Sequence, residues 1–549
     1  AVWIESPEMP DGVGLRVTIK NPQSVSYAAE VVTPGFLQAV KKDDVVLVRY
    51  RARAVVGRRE NGLASWSTWM QLNREPWSSI GSEGAAVGRE WTTIYQFARS
   101  TRDYAPGELQ LTLHVGQTAM VFDVGGFAGL NLGPKADILK LPVTQVQYAG
   151  REPNAAWRKK ADAMIEANRK GPVTVVVRQN GKPVRGAQVA IRQIEHDYPF
   201  GSFGEDTLGK DTPEGIEFRR RFRALFNRAT VPIYWADWGW ESPDARANYE
   251  RTMDWCEANG LRMKAHTLLW PSTGTSPAKS KELLGKPKEL DAYLRENLIA
   301  RTNAMRKRRF ENVDVLNEIR TESEFANIVG RDLYKFAFDE SKAAWPRAAL
   351  VYNDYSIFEA GGYNDAIQKA WEKEVDGLIQ LGAPVNMLGW QGHCGGVYTP
   401  PTRVWELLDK YHARWKLPFE ITEFEVNTSD ERLQADYLRD LLTAWFAHPA
   451  TEGFTMWGFY EGTHWIPLGA MYRRDWSAKP SANVWIDLTR RKWWTNTSVP
   501  TDARGQAASR AFYGKHSLTV RWQGKTVSRD FTLTRDRASG RVVVDLPSP

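Results

Sequence analysis

The sequence predicts a (β/α)8 TIM barrel, an α/β fold, flanked by an N-terminal β-sandwich and a small C-terminal β-domain. Three observations carry this. From residue 196 onward eight short apolar runs recur with amphipathic stretches between them, and alternating strand and helix implies a parallel sheet that closes at eight units. Two of the runs end in a glutamate, Glu318 and Glu423, at the C-terminal tips where a parallel barrel keeps its chemistry. No Gly-rich phosphate loop follows the first run, which separates the pattern from an open doubly wound sheet.

The elements follow in order. Residues 1–134 read as β throughout, with Val45-Val-Leu-Val-Arg-Tyr50, Trp91-Thr-Thr-Ile-Tyr95 and Leu109-Gln-Leu-Thr-Leu113 set between Gly, Pro and Asp turns. This pattern resembles the carbohydrate-binding modules that accompany polysaccharide hydrolases. Trp66, Trp69 and Trp77 could form a sugar platform, although core packing is the commoner role of any one of them. Residues 135–195 form a connector helix, rich in Ala, Lys and Arg, and a β-hairpin turning at Asn180-Gly181. The barrel is expected over 196–490, its strands at 196–204, 229–236, 262–270, 313–318, 348–355, 387–393, 418–425 and 453–460. Residues 497–549 are expected to form a small β-domain packing with the hairpin 171–195.

Composition narrows the function. At 549 residues the chain should hold two or three domains, and 42% hydrophobic with 25% charged residues is that of an ordinary globular protein. No apolar run approaches the ~20 residues of a membrane span. The net charge of +8 is scattered, without a basic stripe interleaved with aromatics, which argues against nucleic acid. Cys256 and Cys394 fall on a predicted helix and at a strand tip, a placement that does not favour a disulfide. Neither His-Glu-x-x-His nor an Asp-rich loop calls for a metal, and no cofactor is implied. The 24 tryptophans suit a protein that stacks indole rings on sugars. The chain starts at Ala1 without a basic and apolar leader, as expected of an exported protein (secreted, periplasmic or cell-surface) whose signal peptide has been removed, or of one that never had it. A monomer acting on a polysaccharide or oligosaccharide is expected.

Cleaving a glycosidic bond requires one neutral carboxyl to protonate the leaving oxygen and one ionised carboxylate, about 5–5.5 Å apart in a retaining enzyme. Glu318 and Glu423, three strands apart, supply such a pair. Asn317 beside Glu318 can hold a sugar 2-hydroxyl.

Across residues 196–480 the chain resembles glycoside hydrolase family 10, known for endo-β-1,4-xylanases. His266-Thr-Leu-Leu-Trp270 is similar to the third-strand motif, whose His and Trp line the cleavage subsite. Asp314-Val-Leu-Asn-Glu318 is similar to the acid/base motif and Ile421-Thr-Glu423 to the nucleophile motif. Asn353-Asp-Tyr355, Gln391-Gly-His393, Trp457-Gly458 with Trp465, and Lys479-Pro480 follow those of the later strands. The resemblance implies that Glu318 is the acid/base, that Glu423 is the nucleophile, and that His393 hydrogen-bonds Glu423 and helps keep it ionised. His266, Trp270, Asn317, Gln391, His393, Trp457 and Trp465 are then substrate-binding.

The departures are as informative. After the second strand the family carries a Glu-Asn pair and a Lys that bind the glycone. Those places hold Pro232, Ile233 and Ala236, and an aromatic tract takes over: Tyr234, Trp235, Trp238 and Trp240, closed by Glu241. Tyr234, Trp238, Trp240 and Glu241 are therefore expected to rim the mouth on the glycone side. Pro271 stands where a second His is common, and Glu423-Phe-Glu425 where Glu-Leu-Asp is usual. The leading expectation is an endo-β-1,4-xylanase-like retaining hydrolase. Its rivals are a relative acting on a different or decorated β-glycan or on chain ends, and a carbohydrate-binding protein that has lost catalysis.

Overall fold

Strand alternation builds the N-terminal sandwich. In Val45–Val56 the residues Val46, Val48, Tyr50, Ala52 and Ala54 are buried, and Ala64–Leu72 turns Trp66 and Met70 into the same core. The computed structural model describes all residues except 24–25, 59–61, 536–539 and 548–549. One antiparallel sheet runs Val2–Glu5, Val13–Ile19, Met120–Asn131, Val45–Val56, Thr92–Arg99, and the other Glu30–Val32, Leu109–His114, Ala64–Leu72, Ser79–Val87. The exposed edge, Ser79–Val87, is covered by the barrel. Asn427 donates to the Ser82 carbonyl at 3.1 Å, and Glu83 accepts from Thr428 Oγ1 at 2.8 Å and from the Ser429 N–H and hydroxyl at 3.0 Å each. Gly84 lies flat on Gly396, so close that a Cβ there would stand 2.8 Å from the Gly396 nitrogen.

The connector helix is Ala156–Asn168, which reaches the barrel helix Glu431–Ala447 through the Arg158–Asp440 ion pair at 2.5 Å. After it the structure departs from the simple hairpin. Asn180 and Gly181 do make the tight turn, both with positive φ, but Lys170–Gln179 pairs across it only with Lys182–Pro183. Gln188–His196 crosses to a second sheet. Lys170–Gln179 instead lies between Gln506–Phe512, antiparallel, and Gly540–Leu546, parallel. Gln188–His196 lies between Asn496–Pro500 and Gly514–Trp522. Two strands of one hairpin show the same face to solvent; split between two sheets they bury Val173, Val175 and Val177 against Val189 and Ile191. The apolar demand of both runs therefore favours the split.

The barrel strands are Phe200–Phe203, Arg228–Pro232, Arg262–His266, Phe310–Asn317, Ala349–Asp354, Met387–Trp390, Phe419–Val426 and Thr451–Met456, all parallel and closed between the first and the last. The intervening helices begin at side-chain caps such as Thr212 on Gly215, Ser242 on Ala245 and Asp430 on Leu433, two of them followed by a proline in the first turn. Charge crosses the barrel interior. Arg228 pairs with Glu420, Lys264 with Asp314 at 2.9 Å, and Asn312 donates to Glu420 at 2.6 Å, every one of them buried. The sixth strand breaks at Gln391–Gly392, Gly392 having φ 95°, and resumes as His393–Cys394 against the end of strand 7. That break turns Gln391 into the mouth. Cys256 and Cys394 are both free and buried.

Candidate active site

The carboxyl-bearing strand tips meet at the mouth through two amides. Gln391, at the break of strand 6, donates from Nε2 to Glu318 Oε1 at 2.7 Å, while its carbonyl accepts from the Glu423 N–H at 2.8 Å. Asn353, on strand 5, does the converse. Its carbonyl accepts from the Glu318 N–H at 2.9 Å, and its side chain donates to Glu423 Oε1 at 2.7 Å and to Asn317 Oδ1 at 2.9 Å. Glu318 has φ 57°, a left-handed conformation that costs a non-glycine residue roughly 1–3 kcal/mol and persists only where its surroundings impose it. Its bond to Asn353 is one such constraint.

Burial is the largest influence on Glu318 and pushes its pKa up to about 7; the Gln391 bond opposes this, and the charges of Glu423 and Asp354 add to it. The imidazole of His393 lies with Nε2 3.3 Å from Glu423 and Nδ1 2.6 Å from Glu425. Burial works against its protonation, but the Glu425 charge and the bonds to both glutamates prevail and hold it protonated well above the usual histidine range. His266 faces Glu423 from the other side, Nε2 at 3.9 Å, with Nδ1 fixed by Asp314 at 2.8 Å. Burial acts against ionisation of Asp314, yet Lys264 and His266 hold its carboxyl below the usual carboxylate range.

Aromatic rings wall this centre. Trp457 stacks on Phe203 at 4.4 Å and meets the His266 ring edge-on at 5.0 Å. Trp465, 61% exposed, lies edge-on to His393 at 5.2 Å and donates to Glu425 at 3.1 Å. Tyr234 touches His266, Trp238 and Trp270, at centroid distances of 5.4, 5.2 and 6.4 Å.

The aromatic tract after strand 2 is divided. Tyr234 and the 57% exposed Trp238 join the site, but Trp240 is 6% exposed and belongs to the barrel core, where the expected rim position does not hold. The chain turns back on itself here, the Trp240 N–H donating to the Tyr234 carbonyl at 2.7 Å, which returns Trp240 to the core while Trp238 stays exposed. Glu241 is engaged by the Trp235 indole at 3.0 Å, which ties it to that buried ring.

Two other acids of the mouth, Glu425 and Glu205, were not among the expected site residues. Glu425 shares a strand face with Glu423 by the two-residue period, a legible signal. Glu205 follows the first strand as Glu318 follows the fourth. It is buried and carries φ 47°, and burial first, with the Asp206 charge, pushes its pKa up to about 8 against the Thr463 hydroxyl. Its carboxyl packs on Gly458, φ 105°, where a Cβ would stand 2.6 Å from Oε1.

A parallel barrel with two glutamates bridged at its mouth and walled by indole rings has the paired carboxyls that glycoside hydrolysis requires. Residues 245–487, which hold most of the barrel, match the profile of Glycosyl hydrolase family 10. Among curated proteins the chain is similar to the anti-sigma-I factor RsgI6 of Acetivibrio thermocellus, 27% identical over 395 residues that cover 70% of this chain and 49% of the relative. It is also similar to Endo-1,4-beta-xylanase 1 of Arabidopsis thaliana, 25% identical over 366 residues covering 66% of this chain and 37% of that one. The chain thus spans half or less of the length of these relatives. Among solved structures, native xylanase 10B from Thermotoga maritima aligns with a TM-score of 0.47 and 22% identity, covering 54% of this chain and 96% of that one. Among the described residues no helix is long and apolar enough to cross a membrane.

Proposed function

We propose that this chain is a retaining, endo-β-1,4-xylanase-like glycoside hydrolase, with Glu318 as general acid/base and Glu423 as nucleophile. The observation that carries the reading is the pair of amide bridges, which keep the two carboxyls close in different environments. Glu318 is half-buried with a pKa pushed up to about 7, whereas Glu423 faces the protonated His393. In the first step Glu423 attacks the anomeric carbon while Glu318 gives its proton to the leaving oxygen. In the second, Glu318 takes a proton from water, which displaces Glu423 from the glycosyl-enzyme. Asn317 offers its amide to the 2-hydroxyl of the reacting sugar. Trp457, Trp270 and Trp465 present ring faces to the glycan, and His266, Gln391 and His393 hold the carboxyls.

The relatives named as endo-1,4-beta-xylanases support a xylan-type backbone. A second reading, a decorated or different β-glycan, is favoured by Tyr234 and Trp238, which stand beside Pro232, Ile233 and Ala236, the positions that correspond to the hydrogen-bonding glycone residues of the family. Ring faces tolerate substituents that directional hydrogen bonds reject. Export from the cell and a sugar-binding role for the sandwich are part of this reading. A polysaccharide panel with reducing-end detection tests both readings: xylan turned over fastest supports the first, and another glycan turned over faster supports the second. No release from any β-glycan would overturn the assignment.

A further inference from the structure

The sandwich reaches the barrel beside its mouth, and the seam between them is hollow. A cavity of about 250 Å³ lies there, lined by Ser65, Ser67 and His114 of the sandwich and by Ala360, Gly396 and Val397 of the barrel. Alternation along Ala64–Leu72 sends Trp66 and Met70 into the sandwich core and therefore Ser65, Ser67 and Trp69 to the opposite face. The Trp69 ring lies flat on His114, centroids 5.3 Å apart at 19°. Across the ladder Ser67 pairs with Gly84, which rests on Gly396, and Trp69 pairs with Ser82, whose carbonyl takes the Asn427 amide. This face of the sandwich is thereby fixed against the loops that follow strands 5, 6 and 7.

The barrel wall of the cavity is continuous with the site. Gly396 follows His393 by three residues, and at no more than about 3.6 Å per residue the two lie within roughly 11 Å of each other. Glu359, next to Ala360, accepts from the Gly392 N–H at 2.9 Å, which ties the two loops together behind His393. Strand 5 lies next to strand 4, whose tip carries Glu318, the proposed proton donor to the leaving group, and Gln391 at the break of strand 6 bonds that carboxyl, which sets the cavity on the leaving-group side.

We propose that the leaving-group end of the glycan runs off the barrel mouth into this seam, and that Ser65, Ser67 and the His114 ring, backed by Trp69, form a sugar subsite there. The two serine hydroxyls take hydroxyl groups of a pyranose, and His114 at the cavity wall is held in place by the Trp69 ring stacked on it. The sandwich is then a wall of the cleft as well as a neighbour of it. This inference rests on the reading of the barrel as a β-glycan hydrolase.

The test uses the full chain in a Glu423→Ala background, with xylohexaose binding followed by calorimetry. Trp69→Ala removes the ring, and Ser67→Phe fills the cavity while leaving Trp69 in place, so a folding defect in one variant leaves the other to decide. Each should raise Kd at least about five-fold, the equivalent of losing one interface anchor. A Kd unchanged from the parent in both variants, or no binding of xylohexaose to the parent, would overturn the inference. Hydrolysis is scored separately on the unmodified chain. Failure to release reducing ends would refute the hydrolase reading while the Kd comparison still stands.

Discussion

Asn353 and Gln391 hold the two mouth glutamates crosswise: each receives the backbone N–H of one glutamate on its carbonyl and donates its side-chain amide to the carboxyl of the other. Main-chain position and carboxyl orientation are thus set by the same two residues, and neither glutamate can shift without disturbing its partner's support. Such bridging is what a reaction sensitive to sub-ångström placement requires.

The first prediction separates the two carboxyls. Glu423→Ala should be inactive on every substrate, because both steps pass through that residue. Glu318→Ala should lose about 10²–10⁴-fold on polysaccharide, retain slow cleavage of an aryl glycoside with a good leaving group, and regain turnover with azide. Steady-state kinetics on the two substrate types would check this. Wild-type polysaccharide activity in either variant contradicts the assignment.

The second concerns pH. Glu318 must carry its proton to act as the acid, so activity should fall as pH rises through about 7. The Glu423 charge is among the causes that raise this pKa, so Glu423→Gln should lower it. Carbon-13 NMR titration of the Glu318 carboxyl in both proteins measures the shift directly, and an unchanged or upward shift in the variant would be the wrong sign.

The third uses the divided aromatic tract. Trp240→Ala empties a core position and should cost about 3–5 kcal/mol of stability. Trp238→Ala, at an exposed position, should leave the melting temperature nearly unchanged while altering the ratio of kcat/KM between linear and decorated xylo-oligosaccharides. Thermal melts and kinetics on the two substrate classes decide; equal destabilisation by the two substitutions would contradict the structure.

The fourth addresses the charged barrel interior. Removing Glu420 leaves Arg228 without its buried carboxylate and takes a second anion from Lys264, 3.6 Å away. Breaking a buried ion pair in this way destabilises by about 3–5 kcal/mol. Glu420→Ala should therefore unfold at markedly lower urea concentration. A midpoint equal to that of the parent would show that the network contributes nothing.

Much of the architecture was legible in the residues themselves. Strand runs, helix caps and the Asn180-Gly181 turn depend on neighbours a few positions away, and periodicity reports them. So do the glutamates at strand tips, because a strand that ends fixes where its last side chain emerges. Glu425 was equally accessible, two residues beyond Glu423 on one face.

What the tertiary structure alone decided is which distant groups meet. The crosswise bonds of Asn353 and Gln391 join strands 4, 5, 6 and 7, and the one from strand 6 exists only because that strand breaks at Gly392. Trp238 and Trp240 are equivalent in composition and two residues apart, yet a local reversal of the chain sends one to the mouth and one to the core. The strands on either side of Asn180-Gly181 obey their turn and then part, because two sheets bury more apolar surface than one hairpin. Local sequence determines conformation over a few residues. The placement of a side chain against a partner dozens of positions away is settled by how whole segments bury their apolar faces together, and the bridged glutamates and the hollow seam beside them both arise at that level.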